Sequence, residues 1–474
     1  MTRGLALVLG LGRFGGGREA SRWLLHQGWQ LRISDRASSE SLAEPIAALE
    51  SESGEIDWRL GDPSDDLLED VDLLVVNPAI PDGHPIIEKA HQLKVPMTQE
   101  INLFLDAFPG RVVFVTGTNG KSTTATLLAA AIQESNMDCL LGGNLGRSLL
   151  ADAARWNQDT LAVIEISSFQ LDRIDPARHS VVGTVFTRVT QDHLDRHGTL
   201  PAYQVAKGRA AEAATEWVVH ARDDGVAASF RTAAPRRVTY GLSDPTDGHV
   251  GTRSGSLWSC LSDAGPILPI EDLPLIGTFQ QENALAAFAA ARLLGADHRR
   301  AAMAIARQES LPHRLQRLEP IAGVQIFDNG VSTEWRSTLS AMQSLDGPIR
   351  WIGGGKSKGG DLAAIADALA GHLHSAHLFG ASAGPLGHIL QSRLPTTIHE
   401  HLHDAVSTAW EASRADDQLL FSPAFASYDQ YPNFAARAGD FLDQVEQLRR
   451  STASTRASQT TDLRAGFGPG VTER

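Results

Sequence analysis

Cysteine is nearly absent from this chain of 474 residues: only Cys139 and Cys260 occur. Two are too few for a disulfide framework and sit in no metal-binding spacing, so a reducing cytoplasm is the expected setting. Long apolar runs are missing too, and the opening MTRGLALVLGLG lacks the basic, apolar and small-residue succession of a signal peptide. Neither a membrane anchor nor export is therefore expected. Positive charge is in deficit, with 42 Lys and Arg against 56 Asp and Glu and a formal net charge of −14. That balance repels nucleic acid and anionic lipid, so any polyanionic ligand must be held by helix N-termini, backbone amides and a few placed cations.

What is present is ordinary globular material, 42% hydrophobic and 21% charged. At this length it divides into two to four cores, and three is the working expectation. Leu5–Leu9 runs into Gly10-Leu11-Gly12-Arg13-Phe14-Gly15 and a helical stretch, Glu19 to Gln27, which reads strand, tight turn, helix. Strands at Gln30–Ser34 and Val71–Val76 complete a first α/β domain over residues 1–107. Pro109-Gly110 then precedes a β-branched strand, Arg111–Val115, a glycine turn and a helix from Ser122 to Glu134. With strands at Leu161–Ile166 and Ser180–Phe186, this opens a second domain over 108–310. Strands at Val324–Phe327, Ile349–Ile352, Ser375–Leu378 and Gln418–Phe421 alternate with helical stretches and give a third, 311–450. Residues 451–474, rich in Ser, Thr, Arg and Gly, read as a disordered tail.

The sharpest signal is Val115-Thr116-Gly117-Thr118-Asn119-Gly120-Lys121-Ser122-Thr123-Thr124 between a strand and a helix. Glycines let backbone amides turn inward, a lysine can reach β- and γ-phosphates, and a serine hydroxyl can ligate Mg²⁺. The strict phosphate-loop pattern would have Gly where Val115 stands. Downstream, Glu165-Ile166-Ser167-Ser168-Phe169-Gln170 follows a buried strand, so Glu165 faces the same crevice; alone it reads equally as a metal ligand or as an acid at a helix N-terminus. Asp192-His193-Leu194-Asp195-Arg196-His197 and the Tyr203–Lys207 stretch are weak singly. Together with Glu165 and the loop they suggest a second cation site.

In this order these motifs resemble the Mur ligases. Gly142-Gly143-Asn144-Leu145-Gly146 and Leu311-Pro312-His313-Arg314 add to the likeness, and Ser422-Pro423-Ala424-Phe425-Ala426-Ser427-Tyr428-Asp429-Gln430-Tyr431-Pro432-Asn433-Phe434 resembles the D-glutamate-adding branch. The resemblance implies a three-domain α/β fold: a Rossmann-like N-terminal domain, a central P-loop ATPase-type parallel sheet and a C-terminal Rossmann-like α/β domain. It implies an ATP- and Mg²⁺-dependent ligase, expected as a cytoplasmic monomer, that adds glutamate to UDP-N-acetylmuramoyl-L-alanine through an acyl phosphate during peptidoglycan precursor synthesis.

Carried over residue by residue, Gly12, Arg13, Phe14, Asp35 and Arg36 would hold the UDP moiety, with Asn144 and His193 near the sugar and the reacting end. Gly117, Thr118, Asn119, Gly120, Lys121, Ser122 and Thr123 would hold ATP, joined by Asn283, Arg314 and Asn329. Ser122, Glu165, His193 and a carbamylated Lys207 would hold two Mg²⁺ ions, so that Lys121, Glu165, His193 and Lys207 carry the chemistry. Thr333, Lys358, Ser427, Tyr428 and Phe434 would receive the amino acid, with Lys356 the alternative to Lys358.

Three places depart from the family pattern. GxHNxxN appears as Gly277-Thr278-Phe279-Gln280-Gln281-Glu282-Asn283; a DSKATN-like segment reads Asn329-Gly330-Val331-Ser332-Thr333-Glu334; and Phe425 replaces a cysteine. The missing lysine removes a cation that Arg314, Lys356 or Arg336 would have to replace. Competing readings are a folylpolyglutamate-type relative, which has no use for the Gly10–Gly15 crevice, a related Mur-type ligase with another amino-acid acceptor, and a catalytically impaired paralogue that binds the precursor.

Overall fold

The computed structural model describes residues 3–12, 15–61, 66–357 and 359–465, with 454–465 described by backbone alone. Arg13, Phe14 and Lys358 lie outside the described residues. The chain forms two compact units, Met1–Leu273 with Gln280–Gln308, and Pro274–Phe279 with Glu309–Arg474.

The first unit contains two sheets. In the first, β1 (Leu5–Leu9), β2 (Gln30–Asp35), β3 (Ile56–Leu60), β4 (Leu73–Val76) and β5 (Met97–Thr98) pair in parallel in the order β3-β2-β1-β4-β5. β1 is central and its Ala6, Leu7 and Val8 are buried, the continuous apolar run expected of a strand covered on both faces. The winding reverses between β1 and β4, so the loops after these strands open a crevice at the carboxyl edge.

The second sheet comprises β6 (Arg111–Thr116), β7 (Cys139–Gly143), β8 (Leu161–Glu165), β9 (Val181–Phe186), β10 (Ala214–Ala221), β11 (Arg236–Tyr240), β12 (His249–Arg253), β13 (Ser256–Ser259) and β14 (Gly265–Pro269). Their order is β14-β13-β12-β11-β10-β9-β6-β8-β7. The strands from β7 to β12 pair in parallel, but β13 and β14 are antiparallel, so the expected parallel sheet is mixed at one end. That end joins through short turns such as Ser254-Gly255, which antiparallel pairing permits and parallel pairing does not.

The two sheets of this unit are tied by polar side chains that follow β5. Gln99 Nε2 donates to Gln170 O at 2.8 Å, Asn102 Nδ2 donates to Arg173 O at 2.9 Å, and Asp106 accepts from Arg178 Nη2 at 2.7 Å. Ser148 Oγ donates to Glu100.

In the second unit, β15 (Gln316–Ile321), β16 (Val324–Asp328), β17 (Ile349–Gly354), β18 (Ser375–Phe379), β19 (Thr396–Ile398) and β20 (Gln418–Ala424) form one sheet in the order β15-β16-β20-β17-β18-β19. Only β15 is antiparallel to its neighbour. Ile276 and Phe279 pack on this unit's core, so the first half of the degenerate GxHNxxN segment is a packing element. The last helix runs Phe434–Ala465, so residues 451–465 of the expected disordered tail are helical instead: they extend a helix already seated on the core through Ala438, Phe441 and Val445, and elongation is easier than initiation. Residues 466–474 lie outside the described residues.

Burial raises the Glu100 carboxyl from 4.5 to about 7. A carboxyl raised in the folded state contributes stability that is complete below pH 4.5 and is lost as pH climbs through about 7. Glu100→Gln should therefore flatten the fall in Tm across that window relative to the parent, read by thermal melts at stepped pH; parallel curves would refute the assignment.

Candidate functional site

β6 lies between β8 and β9 in parallel register, Val115 opposite Glu165 and Thr116 opposite Phe186. Three loops therefore leave the same edge: the glycine loop after β6, the Glu165–Ser168 turn after β8, and Thr187–His193 after β9. The glycine loop is pinned to the last of these. Thr118 N donates to Arg188 O at 2.8 Å, and Thr118 Oγ1 donates to Thr190 O at 2.9 Å and lies 2.9 Å from the Tyr203 hydroxyl. Gly117 has φ 140° and Gly120 φ 83°, backbone that side chains rarely adopt. Lys121 Nζ donates to Thr118 O at 2.7 Å, so the lysine folds over its own loop. Ser122 and Thr123 open the helix Lys121–Glu134 and are buried beneath it. Asn283 sits on the loop itself, accepting from Thr124 Oγ1 at 3.3 Å and donating to Gln280 Oε1 at 2.9 Å.

Glu165 is 2% exposed. Its Oε1 accepts from Asn144 Nδ2 at 2.8 Å, while the buried Oε2 has no hydrogen-bond partner among the described residues. Asn144, read from sequence as a precursor contact, is thus bound to the carboxylate. Lys207, 1% exposed on the helix Leu200–Ala213, donates from Nζ to Thr116 Oγ1 at 2.8 Å, and Thr116 in turn donates to Ile166 O at 2.7 Å. Burial, then the charge of Lys121, drives the Lys207 ammonium well below its usual pKa, against the pull of Glu165. His193 is the left-handed residue before the Leu194–His197 turn; it pairs with Asp192 at 3.3 Å, and its ring lies 4.9 Å from Phe169.

Among the described residues no group of three His, Cys, Asp or Glu side chains is placed to hold a metal ion. The fit with magnesium rests on another donor set. The orphaned Glu165 Oε2, the hydroxyl of Ser122 and a lysine convertible to an oxygen ligand suit a hard cation. Thr116 was missed in the sequence because a strand-end threonine reads only as a β-former.

At the first sheet's edge, Asp35 Oδ2 accepts from Gly12 N at 3.0 Å and Oδ1 from Ala37 N at 2.9 Å, so this carboxylate shapes the turn. Arg36 beside it is exposed.

In the second unit the loops after β16, β17 and β20 share one edge, because β20 lies between the other two. Thr333 is on the first loop, half-buried, and Ser427 on the third, buried; Tyr428 and Phe434 are exposed. Lys356 N donates to Ala426 O at 2.8 Å, locking the glycine-rich segment to the Ser427 loop. Asn329 spends its amide locally, donating to Ser422 Oγ at 3.0 Å and accepting from Leu315 N at 3.2 Å. Asp328 faces His313 at 2.6 Å, and Arg314 follows in a turn where His313 and Leu315 both have positive φ. Glu334 caps the helix Trp335–Met342 and pairs with Arg336, whose guanidinium lies 4.5 Å from the Trp335 ring centre. Phe425 is core, and its carbonyl accepts from the fully buried Arg437 at 3.0 Å. Arg437 carried no sequence signal, since a helix arginine normally reads as surface.

A Cβ at position 120 would stand 2.2 Å from Asn283 Oδ1, whereas at Gly146, also left-handed with φ 80°, it would meet open space. Gly120→Ala should weaken ATP binding at least about tenfold, while Gly146→Ala costs about 1 kcal/mol of stability and leaves it intact. Nucleotide titration of the two variants checks this.

Known proteins resemble this chain along most of its length. The Mur ligase MurD-like N-terminal domain matches residues 5–99 and the Mur ligase middle domain residues 115–291. The UDP-N-acetylmuramoylalanine–D-glutamate ligase of Acidobacterium capsulatum is 31% identical over 458 residues, covering 95% of this chain and 98% of that protein. The protein of the same name from Pelotomaculum thermopropionicum is 32% identical, covering 95% and 99%. Among solved structures, the UDP-N-acetylmuramate–alanine ligase MurC of Thermotoga maritima matches with TM-score 0.62 at 18% identity, over 94% of this chain and 100% of that one. A pseudomurein peptide ligase type C from Methanothermus fervidus matches at 0.59 and 18%, with the same coverage. These structures share the fold, and the full-length sequence relatives place the chain more narrowly: it belongs to the Mur ligase family, among the UDP-N-acetylmuramoylalanine–D-glutamate ligases.

Proposed function

We propose that the chain joins D-glutamate to the alanyl carboxylate of UDP-N-acetylmuramoyl-L-alanine, using ATP, as a monomer in the cytoplasm. Among the described residues no helix is long and apolar enough to cross a membrane. The observation that carries the reading is the buried Glu165 carboxylate, with one oxygen unpartnered among the described residues, on the sheet edge it shares with the phosphate loop.

In this reading the loop amides of Gly117–Gly120 and the Lys121 ammonium hold the β- and γ-phosphates, while Ser122, Glu165, His193 and Lys207 would hold two magnesium ions. Bound there, the metal supplies charge neutralisation for the transferred phosphoryl oxygens. The precursor carboxylate attacks the γ-phosphorus, ADP leaves, and an acyl phosphate remains. The glutamate amine then adds to the acyl carbon, and the tetrahedral adduct expels phosphate to leave the amide. Thr333, Lys358, Ser427, Tyr428 and Phe434 hold and orient the amino acid.

Lys207 suits carbamylation because burial disfavours its charged form and its nitrogen stands at Thr116 on the edge shared with Glu165. A neutral amine adds to CO₂ through a new N–C bond and loses one proton, which turns a cation into an anionic oxygen ligand. Thr116, which now accepts from that nitrogen, would orient the product. Lys207→Met should lower turnover about 10²–10³-fold, and parent activity should rise with added bicarbonate after CO₂ depletion; bicarbonate-independent activity would remove the modification from the reading.

A second reading concerns the acceptor. Val331 stands where the pattern has lysine and Glu334, next to Thr333, is engaged with Arg336, departures that favour an amino acid other than D-glutamate. Phosphate release with ATP, Mg²⁺ and UDP-N-acetylmuramoyl-L-alanine, compared for D-glutamate, L-glutamate and neither, separates the cases. Release dependent on D-glutamate is expected. Preference for L-glutamate would establish the second reading, and no release despite bound precursor would overturn both.

A further inference from the structure

The crevice of the first sheet is walled by the loops that leave β1 and β4, the two strands flanking its reversal of winding. Asn77 joins these walls: its Nδ2 donates to Gly10 O at 3.1 Å and its Oδ1 accepts from Ala79 N at 3.0 Å. The anchors of the β4 wall, however, belong to the second sheet. Arg196 donates to the carbonyls of Pro78, Ala79 and Ile80 at 3.2, 3.0 and 2.8 Å. Arg173 donates to Ile80 O at 2.8 Å and to Asp82 Oδ1 at 2.6 Å.

Arg196 sits three residues after His193, in the turn that His193 opens. Its guanidinium lies 5.0 Å from the centre of the Phe169 ring, the ring that also meets His193. A planar fork with five N–H donors can satisfy three carbonyls and stack on an aromatic face at once, which a lysine cannot do. One side chain thus touches the wall of one sheet's crevice and the residue packed on a proposed ligand of the other's site.

We propose that Arg196, assisted by Arg173, is a positioning residue: it fixes the Asn77–Asp82 wall of the nucleotide crevice to the segment bearing His193. Seating of the UDP moiety and placement of the precursor's reacting end are then set by one guanidinium. This rests on reading the first crevice as the UDP site.

Titration of the full chain with UDP alone tests it independently of turnover. Arg196→Ala should bind UDP about tenfold more weakly, Arg173→Ala a few-fold more weakly, and Arg196→Lys should fall between parent and Arg196→Ala. In turnover, KM for the precursor should rise and kcat fall in Arg196→Ala while KM for ATP stays within about twofold. A general staple between the two sheets would instead lower Tm and weaken ATP and UDP alike; that result, unchanged UDP affinity in the variants, or a parent that does not bind UDP would each overturn the proposal. If Arg196→Ala does not fold, Arg196→Lys and Arg173→Ala carry the test. A parent that binds UDP yet releases no phosphate with either glutamate defeats the ligase reading alone, and the UDP titrations still decide this one.

Discussion

A carboxylate and a lysine buried beside a phosphate-binding turn set the terms for the rest of the first unit. Glu165 and Lys207 are both almost wholly out of water, and each is only partly satisfied by protein groups. Burying such groups costs several kcal/mol apiece unless charge and hydrogen bonds are supplied. The chain supplies part of this, through Asn144 to one carboxylate oxygen and Thr116 to the amine, and leaves Glu165 Oε2 open. A fold retains such an unsatisfied oxygen where a ligand completes it. The parallel register that puts Val115 opposite Glu165 and Thr116 opposite Phe186 is what brings these groups to one edge.

Much of this was legible in the sequence because strands buried on both faces are continuous apolar runs. Leu5–Leu9 was read to the residue, and Arg111–Val115, Leu161–Ile166 and Ser180–Phe186 to within one. β10 to β14 were not anticipated, since Ala214–Ala221 mixes Thr, Glu and His into its run and the antiparallel strands are short and rich in Ser, Gly and Pro. Tail helicity was hidden for a related reason: Ser and Thr are poor helix formers, and only the preceding helix reveals the continuation.

The motifs name residues that share one edge, but not the hydrogen-bond partners each takes within the chain. Sequence order shows that Glu165 and Lys121 end and begin elements on one sheet, but not which partner each takes. Asn144, assigned to the precursor, also donates to Glu165, and Asp35, assigned to the UDP moiety, also braces Gly12 and Ala37. Residues that work through other residues are the hardest to read: Thr116 stands inside the phosphate-loop motif without a role of its own there, and Arg173 and Arg437 lie in no motif. Their roles depend on contacts 91, 93 and 83 positions away in the chain.

The strand order of the second unit carries a consequence for biosynthesis. β20 lies between β16 and β17 yet is the last strand to be made. Until residues 418–424 have left the ribosome, β16 and β17 each lack a neighbour, and two half-sheets with open hydrogen-bonding edges must wait. Insertion of this late strand closes the gap and brings its own Ser427 loop into place, so the loop edge of this unit is completed in the same event as its core. A nascent chain stopped short of that point would present raw sheet edges to chaperones, whereas one stopped just beyond it would already hold its full set of strands.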